Sequence, residues 1–372
     1  MTNSINQRLF LDIHAIQTVP PSNINRDDTG SPKTAQYGGV TRARVSSQSW
    51  KRAIRKYFYD KGHIQNSGIR SCDIVNYIAK IIVEKDKSIS NEDAIKLVEK
   101  ALKVVAAKLS TTKDNKLDAL FFISDNQADK FAQACLDKKA EILDKKTDKK
   151  ELQKELQKIL KADISIDIAL FGRMLAADPS LNEDASSQVA HAISTHAIES
   201  EFDYYTAVDD LAPEDNAGAW HLDTLEYDSS TLYRYANIAL HDFYRQLGDK
   251  EEVIAAVKLF VEAFVKSMPT GKINSFANQT LPQAVVVSLR SDRPINLVSA
   301  FEEPVKSENG YVDKSIQKLF AEYVKYEKIL DKPIFTDYLL LDDTLEVKSI
   351  GKSTQNLDEL LSDLKESINV NL

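Results

Sequence analysis

The chain has little of what marks a disulfide-rich, secreted or membrane protein. Only two of its 372 residues are cysteines, and Cys72 and Cys135 form no C-x-x-C pair. Arg8 and Asp12 interrupt the first apolar segment, and no apolar run approaches the length of a membrane span. We therefore expect a soluble, cytoplasmic protein with reduced thiols, no secretory signal and no thiolate metal site.

Motifs of common enzyme sites are also missing. The sequence contains no GxGxxG or GxxxxGK[ST] phosphate loop and no GxSxG nucleophile elbow. The residues nearest to a metal-binding pattern are His191, His196, His221, Asp203, Asp209 and Asp210. His191 and His196 are five residues apart, which on a helix places them on different faces. This spacing favours structural histidines, and we expect no catalytic residue, no metal and no cofactor.

What is present is an uneven distribution of charge. The chain has a formal net charge of -8 at pH 7. Residues 29–59 nevertheless contain seven Lys or Arg and no Asp or Glu, so the remaining 341 residues carry -15. Overall acidity argues against indiscriminate coating of nucleic acid, because such binding depends on many neutralised phosphates. A confined basic groove is compatible with it.

The basic segment is predicted to form a strand followed by a helix. In "VTRARVSS" the small or apolar residues alternate with Arg42 and Arg44, so the two arginines are expected to point together. Ser47 or Ser49 is expected to cap the helix that follows. One face of this helix is apolar and the opposite face is cationic. The apolar face contains Trp50, Ala53, Ile54, Tyr57 and Phe58, and the cationic face contains Lys51, Arg52, Arg55 and Lys56.

Small polar residues stand among these cations. The turn "SSQS", residues 46–49, supplies hydroxyl and amide groups, which hold phosphate and sugar oxygens without reading sequence. Gly38 and Gly39 let the backbone approach a ligand closely. The alternative is that the cations pair with carboxylates elsewhere in this acidic chain. The mixture of residue types favours a groove for a polyanion.

The order of secondary-structure patterns predicts an α+β fold. "RLFLDIHAIQTV" alternates like a strand and ends at the loop "PPSNINRDDTGSP". Helical patterns fill residues 60–165, and mixed patterns follow, with strand-like "TLYRYANIAL" and "QAVVVSL" and helices before Pro269 and after Val312. This order suits a ferredoxin-like β-α-β-β-α-β core, as in RNA-recognition modules: a strand, a helix, a helical insertion, a strand, a helix and a strand.

Three further segments each have two interpretations. Asp27 and Asp28 of "NRDD" could hold a divalent ion near a phosphate, but an Asn/Asp-rich turn explains them more simply. Residues 138–161 contain nine lysines and five acids, which favours a solvated helical face over a nucleic-acid contact. Tyr204 and Tyr205, close to Phe202 in a predicted hairpin, alternate faces, so one can anchor the hairpin while the other stacks on a base.

Five motifs carry a resemblance to a known family. "NRDD", "GGVTRARVSSQSWKRAIRK", "DIALFGRM", "HAISTHAIESEFDYYTAVDDL" and "LYRYANI" closely resemble the CasC family, the backbone subunits of the type I-E CRISPR surveillance complex, Cascade. The resemblance runs in order from about Asn25 to beyond Phe301. The resemblance implies an RNA-recognition-type palm, a helical fingers insertion and a β-hairpin thumb. The corresponding ranges are 1–59, 166–196 and 224–372 for the palm and C-terminal helices, 60–165 for the fingers, and 197–223 for the thumb.

The resemblance also implies which residues bind RNA. The expected contacts to the guide backbone are Arg26, Gly38, Gly39, Arg44, Ser46, Gln48, Lys51, Arg52 and Arg55. Met174, Tyr205 and Thr206 match positions that fold over the RNA of a neighbouring copy and kink it at regular intervals. Tyr204 stands where relatives can carry a larger aromatic residue. Bases between the kinks would stay free for pairing with target DNA.

The implied function is a non-catalytic scaffold for CRISPR guide RNA in antiviral defence. The implied partners are the guide RNA, further copies of the chain stacked head to tail, the Cascade subunits CasA, CasB, CasD and CasE, and target DNA through guide pairing, with no membrane. One competing hypothesis is a metal-dependent ribonuclease that uses Asp27 or Asp28. A weaker one is a purely protein-binding helical scaffold.

Overall fold

The protein has a mixed α+β fold, which confirms the expected fold class. A computed structural model describes residues 8–62, 66–112, 114–144, 148–207 and 221–372, with only the backbone at 206, 207 and 221–223. The chain divides into two compact units. The first comprises Met1–Gly62, Gln188–His241 and Ile254–Leu372, and the second comprises His63–Ser187 and Asp242–Val253.

The strands of the described residues are as follows. They are β1 (Phe10–Ser22), β2 (Thr34–Tyr37), β3 (Val40–Val45), β4 (Gly68–Ser71), β5 (Phe121–Ser124), β6 (Ser187–Val189), β7 (Ala192–Ser194), β8 (Glu201–Ala207), β9 (His221–Ala239), β10 (Pro282–Arg290), β11 (Phe335–Leu340) and β12 (Lys352–Ser353).

The α-helices of the same residues connect and cover these strands. They are α1 (Ser47–Lys61), α2 (Ile74–Lys85), α3 (Asn91–Val105), α4 (Asp125–Asp137), α5 (Lys139–Leu143), α6 (Lys150–Lys161), α7 (Ile166–Phe171), α8 (Leu240–Leu247), α9 (Lys250–Lys266), α10 (Ile273–Phe276), α11 (Val312–Tyr326) and α12 (Leu357–Asn371). In the part of the chain described, no helix is both long and apolar enough to cross a bilayer.

The main sheet is built around β1. Its strand order is β12-β11-β10-β1-β9-β7-β3-β2, and β6 and β8 also pair with β9. β1 is antiparallel to both neighbours, so that Ile13 pairs with Ala236 of β9 and with Val287 of β10. β7 is antiparallel to β9. In chain order the four central strands are β1, β7, β9 and β10, and helices follow β1 and β9. In the sheet they lie in the order β10-β1-β9-β7, which is the strand order of a β-α-β-β-α-β core.

β1 is longer than its sequence predicts. We expected a loop from Pro20 onward, but the strand continues to Ser22, which pairs with Asp228 of β9. The register shifts between Val19 and Ser22. Pro20 and Pro21 are tolerated there because the hydrogen-bond pattern between the strands is interrupted, so no backbone N–H is needed at these two positions.

Apolar side chains cover both faces of this sheet. On one face, Ile16 and Tyr233 pack with α11 through Leu319 and Phe320. Since neighbouring residues on a strand point to opposite faces, Leu232 lies on the other face, where it packs with Trp50 of α1. Burial on both faces explains why β1 is covered along nearly its whole length.

The second unit is a helical domain with its own core. Helices α2, α3, α4 and α6 bury one continuous apolar cluster beside the short β4–β5 pair. Ser90 caps α3 by accepting a hydrogen bond from the backbone N–H of Asp93. The unit extends to Ser187, beyond the 60–165 range expected for the insertion. Buried Arg173 is one reason, because its guanidinium donates to the backbone oxygens of Leu160 and Leu181.

Candidate nucleic-acid interface

The basic segment begins with a β-hairpin whose turn requires glycine. β2 and β3 pair up to Tyr37 and Val40, which leaves Gly38 and Gly39 as a two-residue turn with φ of +62° and +78°. Positive φ at both positions suits the tight turns that match strand twist. A Cβ on Gly38 would also lie 1.7 Å from the carbonyl oxygen of Glu302. Gly38 is therefore needed for packing, and a contact of either glycine with RNA stays a prediction.

The two arginines of β3, which were expected to point together, differ in their exposure. Arg42 is completely buried and donates hydrogen bonds to the carbonyl oxygens of Tyr37, Ser194 and Phe301. Desolvation lowers its pKa, and the three acceptors offset the cost of burying a cation. Arg44 remains half-exposed, where it donates to the carbonyl oxygen of Thr34.

The loop before β2 is tied to the start of α1. The N-cap is Ser46, not Ser47 or Ser49, and its side chain makes no capping hydrogen bond. Instead, the backbone N–H of Ser46 donates to Oδ1 of Asn25 over 2.8 Å, and that of Lys33 donates to the Asn25 carbonyl. One asparagine thus holds both the "NRDD" loop and the helix start in place. Ser46 itself is buried.

Helix α1 separates an apolar face from a cationic face, as its spacing predicted. Trp50, Ile54 and Phe58 are buried, while Ala53 and Tyr57 are half-buried. On the outer face, Gln48, Arg52 and Lys56 are exposed, and Lys51 and Arg55 are half-buried. The Arg55 guanidinium donates to the Tyr59 hydroxyl, and burial lowers the pKa of Lys51. The helix therefore presents a broad cationic surface.

A cavity of about 740 Å³ lies beside α1 in the first unit. It is bounded by α1, by the loop 24–30 and by the segment 266–271, which begins at the last residue of α9. Four cations line it, Arg26, Arg52, Lys56 and Lys266, together with three carboxylates, Asp27, Asp28 and Asp60. Lys266 forms a 2.8 Å ion pair with Glu262. Within the described ranges, the other three cations have no ion-pair partner. For Arg52 and Lys56, this contradicts the alternative that the cations of the basic segment pair with carboxylates elsewhere in the chain.

Sequence reasoning missed the 266–271 wall of this cavity. The only signal there was "KSMPTG", which was used to predict the end of a helix. Gly271 brings this segment against the loop, since a Cβ at that position would lie 2.1 Å from the carbonyl oxygen of Ile24. Lys266 and Arg26 are 240 residues apart in the chain, so no spacing rule could have paired them.

The carboxylates of "NRDD" form the predicted turn. Oδ1 of Asp27 accepts hydrogen bonds from the N–H of Thr29, the Thr29 hydroxyl and the N–H of Ser31, at 2.8 to 3.0 Å. These bonds, led by that of the hydroxyl, lower the pKa of Asp27. Asp28 also lines the cavity. Among the described residues, no group of three or more His, Cys, Asp or Glu side chains is arranged to hold a metal ion.

The histidines lie beside β7, not on a helix as the spacing argument had assumed. His196 is buried, stacks on Tyr311 at a centroid distance of 3.7 Å, and accepts a hydrogen bond from the N–H of Thr231 through Nε2. It is a structural histidine, as expected. His191 contacts Arg44 through Nδ1, over 3.2 Å. The side chains of His221, Asp209 and Asp210 fall outside the described residues.

The predicted thumb is the β8–β9 hairpin. Tyr204 pairs with Thr224 and Tyr205 with Asp223, so the two tyrosines point to opposite faces, as predicted. Tyr204 is 71% exposed and Tyr205 is 45% exposed. The side chain of Thr206 and the whole of 208–220 fall outside the described residues. Met174 is 83% exposed and belongs to the second unit.

The lysine-rich segment 138–161 is amphipathic where it is described. Leu152, Leu156 and Leu160 of α6 are buried in the helical core. Lys138 forms a 3.2 Å ion pair with Glu155. These contacts suit the predicted solvated helical face.

Comparison with known proteins gives a consistent picture. The chain matches the CT1975-like protein family over residues 11–366. It is similar to a chain of a solved structure titled "CRISPR RNA-guided surveillance complex, pre-nicking", with 32% identity, a TM-score of 0.85, and coverage of 96% of this chain and 100% of the other. A second similar chain, from a "CRISPR RNA-guided surveillance complex", has 29% identity, a TM-score of 0.77, and coverage of 96% and 99%. Comparison with curated proteins gave no match.

Proposed function

The chain belongs to the CT1975-like protein family, in agreement with its resemblance to CasC-type backbone subunits, and from this premise we propose that it binds the guide RNA of a CRISPR surveillance complex. The complex is of type I-E, and several copies of the chain stack along the spacer of one guide. Each copy holds the sugar-phosphate backbone, kinks it at intervals and leaves the bases free to pair with target DNA.

One observation carries this proposal. Arg26, Arg52 and Lys56 come from a loop and a helix, converge on one cavity and lack ion-pair partners among the described residues. Three carboxylates, Asp27, Asp28 and Asp60, line the same cavity, but among the described residues none forms an ion pair with these cations, which can therefore bind an anionic ligand. A polyanion with regularly spaced phosphates satisfies several cations at once, and contacts to phosphate do not depend on the base.

The predicted RNA-binding residues divide between two sides of α1. Arg26 and Arg52 line the cavity, whereas Lys51 and Arg55 lie on the adjoining part of the helix surface. Arg44 and Gln48 lie near the start of the same helix. Buried Ser46 contributes by positioning the loop through its backbone. An RNA chain following α1 would therefore meet these residues in succession.

The test uses the complex purified with its guide RNA. Changing both Lys51→Glu and Arg55→Glu reverses two charges on the proposed path, so we expect RNA retention to fall by at least tenfold. Lys348→Glu reverses one charge on an exposed residue outside the cavity and the α1 surface, and should leave retention unchanged. Undiminished RNA retention in the double variant would contradict the proposal.

We propose that the chain has no catalytic activity of its own. The alternative is a metal-dependent ribonuclease, and it is kept because Asp28 lines the same cavity. Its test is incubation of the assembled complex with complementary RNA and magnesium. Regularly spaced cuts that are abolished by Asp27→Ala or Asp28→Ala would support the ribonuclease. Intact RNA with both wild type and variants would support a scaffold.

A further inference from the structure

The loop before α11 contains the one Asn-Gly pair of the sequence, Asn309–Gly310. Both residues are exposed, and so is Glu308 before them. The loop, residues 306–310, belongs to no helix or strand. The pair is therefore open to water on a segment without the hydrogen bonds of regular structure.

The fold holds both ends of the loop 306–310. Before it, buried Val305 donates its backbone N–H to the carbonyl oxygen of Thr195 over 2.9 Å. After it, Tyr311 stacks on His196, and α11 follows. The Asn-Gly pair thus lies between two anchored residues.

The two groups that would react with each other in this pair are unrestrained. Within the described ranges, neither the side-chain amide of Asn309 nor the backbone N–H of Gly310 has a hydrogen-bond partner. Gly310 has a φ of +85°, and a Cβ added there would meet nothing within 4 Å. The side-chain carbonyl carbon of Asn309 can therefore meet the Gly310 nitrogen without breaking a hydrogen bond of either group.

Asn66 shows the opposite arrangement. Its Nδ2 atom donates to the carbonyl oxygen of Asp163, and its Oδ1 atom accepts from the backbone N–H of Asn126. The backbone N–H of Ser67, the residue that follows, donates to the carboxylate of Asp125 over 3.3 Å. An attack of the Ser67 nitrogen on the Asn66 side chain would have to break these bonds.

We propose that Asn309 is a site of spontaneous deamidation, at which the chain converts its own asparagine to aspartate and isoaspartate. The reaction needs no enzyme and no co-reactant other than water. It does not depend on RNA binding at α1.

The step passes through a succinimide ring. The Gly310 nitrogen, having lost its proton to water, attacks the side-chain carbonyl carbon of Asn309; a C–N bond forms, the bond to Nδ2 breaks, and Nδ2 leaves as ammonia. Water then opens the ring. Opening at the side-chain carbonyl gives aspartate, and opening at the main-chain carbonyl gives isoaspartate. One water is consumed and one ammonia is released, with no oxidation or reduction.

The products change both the charge and the length of the loop. A carboxylate replaces a neutral amide in a cavity of about 620 Å³ that Lys306 and Lys314 also line. Isoaspartate also adds one methylene group to the main chain between Val305 and Tyr311. Because contacts to other segments fix both of these anchors, the loop itself has to absorb the added length.

The test follows the full chain during incubation at pH 8, by peptide mass spectrometry that distinguishes aspartate from isoaspartate. We expect Asn309 to convert at least about tenfold faster than Asn66, because only Asn309 is unrestrained and followed by glycine. Isoaspartate should be among the products, since it forms through the succinimide. Conversion of Asn309 no faster than that of Asn66, or aspartate without isoaspartate, would overturn the proposal.

Ser67→Gly separates the structural cause from the sequence cause. It creates a second Asn-Gly pair, in which the side-chain hydrogen bonds of Asn66 are kept. In the folded variant, we expect Asn66 to convert at least about threefold more slowly than Asn309, and the difference should disappear in urea, where neither side chain is held. Equal rates in the folded variant would contradict the structural argument.

Two variants at the pair itself confirm the reacting atoms. Gly310→Ala should slow conversion at least about tenfold, because a Cβ hinders the approach of the nitrogen, although it also carries the strain of positive φ. Asn309→Gln leaves that backbone unchanged, and its longer side chain closes the ring less readily. It should remove the more acidic form that ion-exchange chromatography separates from aged wild type. Persistence of this form in Asn309→Gln would assign it to another residue and overturn the proposal.

Discussion

The guanidinium of Arg234 lies 3.6 Å from the centre of the Trp50 ring, deep in the first unit. Arg234 belongs to β9 and Trp50 to α1, so this stacked pair joins helix α1 to the sheet. Phe264 of α9 lies 4.3 Å from the same guanidinium, and its carbonyl oxygen accepts a hydrogen bond from it. Burial lowers the pKa of Arg234 to about 9, which leaves it charged at neutral pH.

This pair predicts a measurable coupling energy. Trp50→Leu and Arg234→Met should each destabilise the protein, and a double-mutant cycle by urea unfolding should give a coupling of about 1 to 2 kcal/mol, because a desolvated cation–π pair is worth about 2 kcal/mol. Trp50→Leu combined with Leu361→Ala on α12 is the control, and these two effects should add. A zero coupling between Trp50 and Arg234 would show that they pack without stabilising each other.

The two arginines of β3 should separate stability from RNA binding. Arg42→Gln removes a donor from up to three buried carbonyl groups, so we expect it to lower the free energy of unfolding by about 2 to 4 kcal/mol. Arg44→Gln changes a half-exposed residue and should cost less than about 1 kcal/mol while weakening RNA binding. Urea midpoints and RNA affinity, measured on both variants, test this. Equal loss of stability would contradict the assignment.

The adjacent glycines of the hairpin form a matched pair. Gly38→Ala places a Cβ against the Glu302 carbonyl oxygen, whereas Gly39→Ala meets nothing within 4 Å. Both substitutions carry the cost of positive φ, about 1 to 2 kcal/mol. We expect Gly38→Ala to be at least about 1 kcal/mol more destabilising than Gly39→Ala, as measured by urea unfolding. The reverse order would disprove the close approach to Glu302.

Asp12 should make stability depend on pH. It is buried beside Tyr235, and desolvation raises its pKa to about 7 from 3.8. Because the folded state holds a proton that the unfolded state has lost, the stabilising contribution is complete below pH 3.8 and disappears as the pH rises to about 7. Asp12→Asn cannot titrate.

The difference in unfolding free energy between wild type and Asp12→Asn should therefore fall by up to about 4 kcal/mol between pH 4 and pH 8. Urea unfolding at several pH values measures this difference. Glu308→Gln, at an exposed loop position, serves as the control and should show no such trend. A difference that is constant with pH would show that Asp12 is ionised throughout.

RNA binding should weaken steeply with salt. If each copy neutralises four to six phosphates, the logarithm of affinity for single-stranded RNA should fall against the logarithm of salt concentration with a slope of about -3 to -4. Arg52→Gln should make the slope shallower by about 0.7, since it removes one contact. Lys348→Gln should leave it unchanged. Fluorescence titrations of labelled RNA at several potassium chloride concentrations provide the slopes.

Local periodicity predicted the elements of the site with good accuracy. The spacing of Trp50, Ile54 and Phe58 identified the buried face of α1, because a helix with one apolar face must turn that face inward. The alternation in "VTRARVSS" likewise predicted β3. The contrast between Arg42 and Arg44 could not be predicted, because the acceptors for Arg42 at Ser194 and Phe301 lie more than 150 residues away in the chain.

By itself, the sequence determined where charge is concentrated, which segments are helices or strands, and which face of each helix is apolar. These properties depend on neighbouring residues, and short-range geometry controls them. The tertiary structure decided which cations remain available to a ligand. Arg42 donates its hydrogen bonds to distant carbonyl groups, whereas Arg26, Arg52 and Lys56 line one cavity together with Lys266. That outcome depends on contacts between segments remote in sequence, which no local pattern contains.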